Sequence, residues 1–150
     1  MSTRRGPQAL AEACAAAMWA EDRASAGLGM RIARVAPGEA ELTMEVEPRM
    51  VNGHGVCHGG FIFALADSAF AFACNSFNRR AVAQSNTITY LRPVKLGQVL
   101  TARAIRAAEA GRSGIYDVRV TDGEGRAVAV FRGLSRLIEG HLVPPEETQP

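Results

Sequence analysis

Hydrophobic and polar positions repeat with two different periods along this chain, and the change of period marks its elements. After Pro7, a residue suited to a first helical turn, an alanine-rich apolar stripe from Gln8 to Arg23 predicts a helix that ends before Gly27. Met30–Val35 and Ala40–Val46 are short alternating segments around Pro37-Gly38, the pattern of a hairpin. Pro48 to Gly55 reads as a loop. From Gly59 to Phe77 the apolar residues fill every side of a helical wheel, which predicts a long helix that must be enclosed.

Four strand patterns follow. Ala83–Leu91 sets Ile88 and Tyr90 on one face against Thr87 and Thr89 on the other, and Val99–Ala107 alternates in the same way. In the third, Tyr116, Val118 and Val120 oppose Asp117, Arg119 and Thr121. The turn Asp122-Gly-Glu-Gly125 leads into the fourth, Arg126–Ile138. Short connections between these strands predict antiparallel neighbours. The fold class expected is therefore α+β, a curved antiparallel sheet wrapped around a long central helix. Such a sheet leaves strand edges and one face open, which predicts a dimer or larger assembly.

No repeat or linker interrupts residues 8–138, which read as one domain; residues 1–7 are expected to be a flexible N-terminus and 139–150 a polar tail, disordered from Gly140 onward. The net charge of +2 and an aromatic content of 6% lack the basic stripe of a nucleic-acid binder. Three cysteines, Cys14, Cys57 and Cys74, have no paired spacing, so no disulfide framework is expected and the setting reads as reducing and cytoplasmic. No membrane association is expected. Arg4-Arg5 before Ala13–Ala20 superficially resembles a secretion signal, but Glu12 interrupts the apolar run. The Phe61–Cys74 run is shorter than the ~20 apolar residues of a bilayer span and has Asp67 at its centre.

The chemistry concentrates around Asn52-Gly-His-Gly-Val-Cys-His-Gly-Gly60 and the helix it enters. Asp67 is a lone carboxylate in an apolar segment, where an ionised group needs a partner or a role. Its helical neighbours Gly60, Ala64, Ala71 and Cys74 are small and leave space before it. Two glycines at a helix start cost stability but admit close approach, and the Gly59 N–H at the positive end of the helix dipole could polarise a carbonyl oxygen. Structural readings stand beside these: Asp67 as a packing contact, Gly59-Gly60 as close helix–sheet packing. Asn52 could hold a water or a carbonyl, and His54 and His58 could be bases or ligands. His54, Cys57 and His58 do not form a metal set, so none is expected. No Gly-x-Ser-x-Gly elbow is present.

Spacing adds a constraint. Gly59 and Asp67 are eight residues apart, which is ~12 Å along a helix. A base and an oxyanion donor serving one carbonyl must each lie within ~3 Å of the reacting atoms. If both act, two copies of the helix must meet, Gly59 of one subunit near Asp67 of the other.

Asn52-Gly-His-Gly55, Cys57-His-Gly-Gly60, Leu65–Asn75, Ile88-Thr-Tyr-Leu-Arg-Pro93, Ile115-Tyr-Asp117 and Val130-Phe-Arg-Gly133 together resemble the hotdog-fold acyl-CoA thioesterases, most closely their phenylacetate-degradation (PaaI) group, over roughly Leu10–Ile138. The resemblance implies a hotdog fold, a homodimer assembling to a homotetramer, and hydrolysis of an acyl-CoA to acid and CoA, with no cofactor because coenzyme A is part of the substrate. It implies that Asp67 is base or nucleophile, that Gly59 of the other subunit polarises the carbonyl, and that Asn52 places water or carbonyl. It puts His58, Gly60 and Ser68 beside the substrate, and aryl-acetyl or ring-hydroxylated phenylacetyl groups in the site. Some members carry a serine or threonine on the strand after the helix to assist the acid; here that neighbourhood reads Ala83-Gln84-Ser85. Arg92, Lys95 and Arg112 are candidates to meet the CoA phosphates. The rival readings are a hotdog hydratase or dehydratase using His58 with Asp67, a non-catalytic acyl-CoA-binding module, and a structural oligomer in which Asp67 only seals an interface.

Overall fold

A computed structural model describes residues 4–146. Six strands form one antiparallel sheet: β1 (Arg31–Ala36), β2 (Glu39–Glu45), β3 (Ala81–Tyr90), β4 (Val99–Ala110), β5 (Ser113–Thr121) and β6 (Ala127–Leu137). Their spatial order is β1-β2-β4-β5-β6-β3, so β1 and β3 are the edges. Helix α3 (Gly59–Cys74) lies across one face, and α1 (Pro7–Glu21) and the short α2 (Arg23–Gly27) cover it further. The curved sheet around a central helix is thus the expected one.

The core follows from the alternation of the strands. In β5, Gly114, Tyr116, Val118 and Val120 are buried while Asp117 and Arg119 are exposed. Opposite them on α3 sit Leu65, Ala66, Ala69, Phe70 and Phe72, all buried. Phe70 meets Tyr116 and Phe131 with ring centroids 5.6 and 5.9 Å away. It lies so close to β6 that a Cβ on Gly133 would come within 2.7 Å of the ring. The prediction that α3 is enclosed holds on this side only. Phe61, Phe63, Ala64, Asp67, Ser68 and Ala71 form a half-buried stripe on the other.

Several boundaries differ from the expectation, each for a local reason. The first helix stops at Glu21, because Asp22 takes its side chain to the Ser25 N–H (2.9 Å) and starts α2. The central helix stops at Cys74, three residues early. Asn75 ends it by clamping the start of β3: its Nδ2 donates to the Ala71 and Ala81 carbonyls, and its Oδ1 accepts from the Ala81 N–H. β4 runs on to Ala110 through a bulge between Arg106 and Ala108. The disorder expected from Gly140 does not hold for residues 140–143. Asn78, in the left-handed region at φ 59°, accepts from the Leu142 and Val143 N–H groups and donates to the Val143 carbonyl. Among the described residues, no helix is long and apolar enough to cross a membrane.

Candidate active site

The loop before α3 is built by its own side chains. Asn52 Oδ1 accepts from the His54 and Val56 N–H groups at 2.9 and 3.4 Å, an Asx-type turn. The backbone of the loop is then tied down, Cys57 N–H to the Val94 carbonyl and His58 N–H to the Met50 carbonyl, both at 2.7 Å. The Asn52 oxygen is therefore committed to the loop, and only its amide N–H groups remain for a ligand.

His58 is the N-cap of α3, and its Nδ1 accepts from the Gly60 N–H at 2.9 Å. That contact consumes the Gly60 donor. Among the described residues no acceptor meets the Gly59 N–H, so Gly59 carries the free donor at the positive end of the helix. Tyr90 on β3 closes over it: its hydroxyl donates to the Gly59 carbonyl at 2.9 Å, and a Cβ at Gly59 would meet the Tyr90 ring at 2.9 Å. Close approach, rather than backbone conformation, is what demands glycine here.

This end of α3 opens into a cleft of about 480 Å³ walled by Gly59, Ile62, Tyr90, Arg92 and Val94. Arg92 thus stands beside Gly59. Lys95 is exposed on the same β3–β4 connection. Arg112 is not with them. It sits on the β4–β5 turn and lines a separate cavity with Cys74, at the opposite end of α3.

Asp67 lies two turns into α3, half-buried. Its Oδ1 accepts from Asn86 Nδ2 on β3 at 3.1 Å. Burial pushes its carboxyl above the ordinary carboxylate range, and the Asn86 hydrogen bond partly offsets this. A carboxylate shifted in that direction is a stronger base near neutral pH. Asn86 escaped the sequence reading because its partner is 19 residues away.

Ser68 departs from the expectation. Its Oγ is 2.8 Å from Ser25 Oγ, and Ser25 in turn donates to Asp22 Oδ2 at 2.7 Å. An ionised carboxylate only accepts, so Ser25 spends its hydrogen there and Ser68 must donate to Ser25. The hydroxyl of Ser68 ties α3 to α2 instead of offering its hydrogen to a ligand.

The cysteines are not nucleophiles. Cys57 and Cys74 are buried, which pushes both thiols up, Cys74 to about 12, and a protonated thiol is the unreactive form. Among the described residues no group of three or more His, Cys, Asp or Glu is placed to hold a metal ion.

An uncharged N–H donor at a helix start and a desolvated carboxylate facing an amide are the parts of an acyl-transfer site. The family model for the thioesterase superfamily matches residues 54–129, which include Gly59, Asp67 and Asn86. The chain belongs to the thioesterase superfamily. Within it, the chain is 44% identical over 126 residues to the acyl-coenzyme A thioesterase PaaI of Escherichia coli, covering 84% of this chain and 90% of that protein. The structure of the E. coli PaaI protein, from the phenylacetic acid degradation operon, matches with a TM-score of 0.89 at 41% identity, over 91% of this chain and 99% of that one. A hypothetical thioesterase from Streptococcus pneumoniae TIGR4, solved with coenzyme A, matches with a TM-score of 0.71 at 26% identity, over 75% and 88% of the two chains. The fold of this thioesterase is the hotdog fold, and its enzyme class is that of thioester hydrolases.

Proposed function

We propose that this thioesterase hydrolyses phenylacetyl-CoA and related aryl or ring-hydroxylated thioesters to free acid and coenzyme A, in phenylacetate degradation. The observation that carries the chemistry is the pair set along α3: a free N–H at Gly59 and, two turns on, the carboxylate of Asp67 held by an amide instead of a cation. The substrate class is supported by the likeness to the E. coli protein of the phenylacetic acid degradation operon, and the CoA portion by the pneumococcal relative solved with coenzyme A.

In this reading Asp67 takes a proton from water as the water oxygen attacks the thioester carbon. The carbonyl oxygen becomes an oxyanion and is met by the Gly59 N–H. Collapse breaks the carbon–sulfur bond, and the proton leaves with the CoA thiolate as free thiol. Neither a metal nor a redox cofactor is required, since coenzyme A belongs to the substrate. Arg92, in the wall of the Gly59 cleft, is the basic residue best placed for a CoA phosphate.

Because ~12 Å of helix separates Gly59 from Asp67, the two serve one thioester only across a two-fold axis. The bare edge of β3 and the half-buried stripe of α3 support this homodimer, with pairs of dimers forming a homotetramer. A cytoplasmic location fits three buried, unpaired cysteines. The hydratase reading is disfavoured because His58 spends its Nδ1 on capping α3, nine residues before Asp67.

The test is thiol release from phenylacetyl-CoA. Asp67→Asn is expected to lose roughly 10²–10⁴-fold in rate, the scale of a general base. Gly59→Val, which forces Tyr90 away, is expected to be crippled too. Refolding the two inactive variants together should recover about a quarter of wild-type activity, because half the dimers are mixed and each mixed dimer has one intact site. No recovery would show that the site is not shared; an active Asp67→Asn would remove the assignment of the base.

A further inference from the structure

Among the described residues Asn86 alone meets Asp67 through a side-chain hydrogen bond, and its side chain bonds to no other group, while its backbone pairs with Gly133 on β6. β3 presents Asn86 and Ile88 half-buried toward α3, with Ser85, Thr87 and Thr89 exposed. Its register against α3 is set by the clamp of Asn75 on Ala81, at 2.9 and 3.1 Å. The ionised Asp67 can only accept, so the NH₂ end of the Asn86 amide must face it, which leaves the amide oxygen without a part in that contact. That oxygen is buried, and it is the only buried side-chain polar atom among the described residues without a hydrogen-bond partner. An orphaned buried acceptor is costly and calls for a reason. The Nδ2 end of the amide has its reason in Asp67, which an apolar side chain would leave without a partner; the Oδ1 end has none among the described residues.

We propose that Asn86 is the water-positioning residue of this site: Nδ2 fixes one oxygen of Asp67, and Oδ1 accepts a hydrogen bond from the water that Asp67 deprotonates. The proposal rests on the thioesterase reading above and deepens it. A water between Asp67 Oδ2 and Asn86 Oδ1 gives one hydrogen to each. Its remaining lone pair is then directed away from both acceptors, toward the thioester carbon. One proton passes to Asp67, the carbon–oxygen bond forms, the carbon–sulfur bond breaks, and the same proton leaves on the thiol of CoA. In this arrangement Asp67 acts on the water as a general base. It differs in kind from assistance by a serine or threonine hydroxyl, because an amide offers donor and acceptor at once and in fixed positions.

The experiment compares full-length wild type with Asn86→Leu, Asn86→Ser, Asn86→Asp and Asp67→Asn, by thiol release from phenylacetyl-CoA across pH, with thermal melting and assembly state measured on the same samples. Asn86→Leu keeps the volume and removes both polar ends. It is expected to lower kcat by roughly 10–100-fold with KM within about twofold, since water is misplaced while the CoA contacts are untouched. Asn86→Ser covers the case in which leucine does not fold, with the same expected split.

Asn86→Asp gives the signature that packing would not. Two facing carboxyls share a proton, and the singly protonated pair reproduces the donor-plus-acceptor pattern of asparagine. Its rate is expected to peak where one proton is shared and to fall as pH rises through the loss of that proton, where wild type stays active. If Asp67→Asn is inactive and Asn86→Leu and Asn86→Ser keep kcat within threefold of wild type, this proposal is wrong and the general reading stands. If Asp67→Asn itself is active, the reading beneath it fails instead. A melting point lowered in the Asn86 variants with an unchanged kcat would make Asn86 structural and overturn the proposal.

Discussion

β5 and β3 are strands of one sheet, similar in length, and they do opposite things. β5 sits between β4 and β6, and every second residue from Gly114 to Val120 is buried. β3 is an edge with no buried residue in its ten positions. Yet β3 carries the two side chains that meet the site, Tyr90 on Gly59 and Asn86 on Asp67. The strand with no buried residue thus supplies the partners of both Gly59 and Asp67 on α3. Stability is laid down on one strand and the contacts to the candidate site on another, which is the edge the proposed dimer would use.

The sharpest way to break this contrast is to put a charge on each strand. Val120→Asp in β5 buries a carboxylate where nothing can pair with it, and is expected to cost more than about 4 kcal/mol and leave no soluble folded protein. Ser85→Asp in β3 places the same group in solvent and should change stability by no more than about 0.5 kcal/mol. Soluble yield of Val120→Asp and denaturant titration of Ser85→Asp against wild type check the two outcomes. Next in size is the effect on assembly. Thr89→Lys, on the outward face of β3, is expected to shift the protein toward monomer in sedimentation, and to lower activity at least about tenfold at low concentration with the fold retained, since edge charges oppose strand pairing.

The smallest effect has the opposite sign. The folded carboxyl of Asp67 titrates above its ordinary value, so ionising it works against the folded state. The stability it contributes is present below its ordinary value of 3.8 and is lost as pH rises through the raised folded value. Asp67→Asn removes that penalty and can still accept from Asn86. Its melting point should therefore exceed that of wild type by a few degrees at pH 7, and the gain should vanish at strongly acid pH.

Much of this was legible in the amino-acid order. The central helix announces itself as an apolar run, and β5 by strict alternation, because local burial demands both patterns. Gly59 and Asp67 stand out because each is expensive where it sits. What escaped was set by contacts between distant residues. Asn86 lies in a strand whose alternation was read through Ile88, Tyr90 and the threonines, and nothing near it names Asp67. Ser68 stood beside the substrate by the family resemblance, but its hydroxyl meets Ser25, 43 residues earlier, a contact that no local pattern shows. The tail looked disordered from its prolines and polar residues, and no local pattern shows that Asn78, 64 residues before Leu142, holds it.

That hold on the tail has a practical side. The Arg5 N–H donates to the Glu146 carboxylate at 2.7 Å, so the two ends of the described chain meet. Ends this close can be joined by a short peptide and the chain opened elsewhere, for instance at the exposed turn Gly123–Gly125, without unpairing any strand. Such a rearranged chain would carry its new ends between β5 and β6, and would offer a route to linking two copies in a single polypeptide with one chosen site intact.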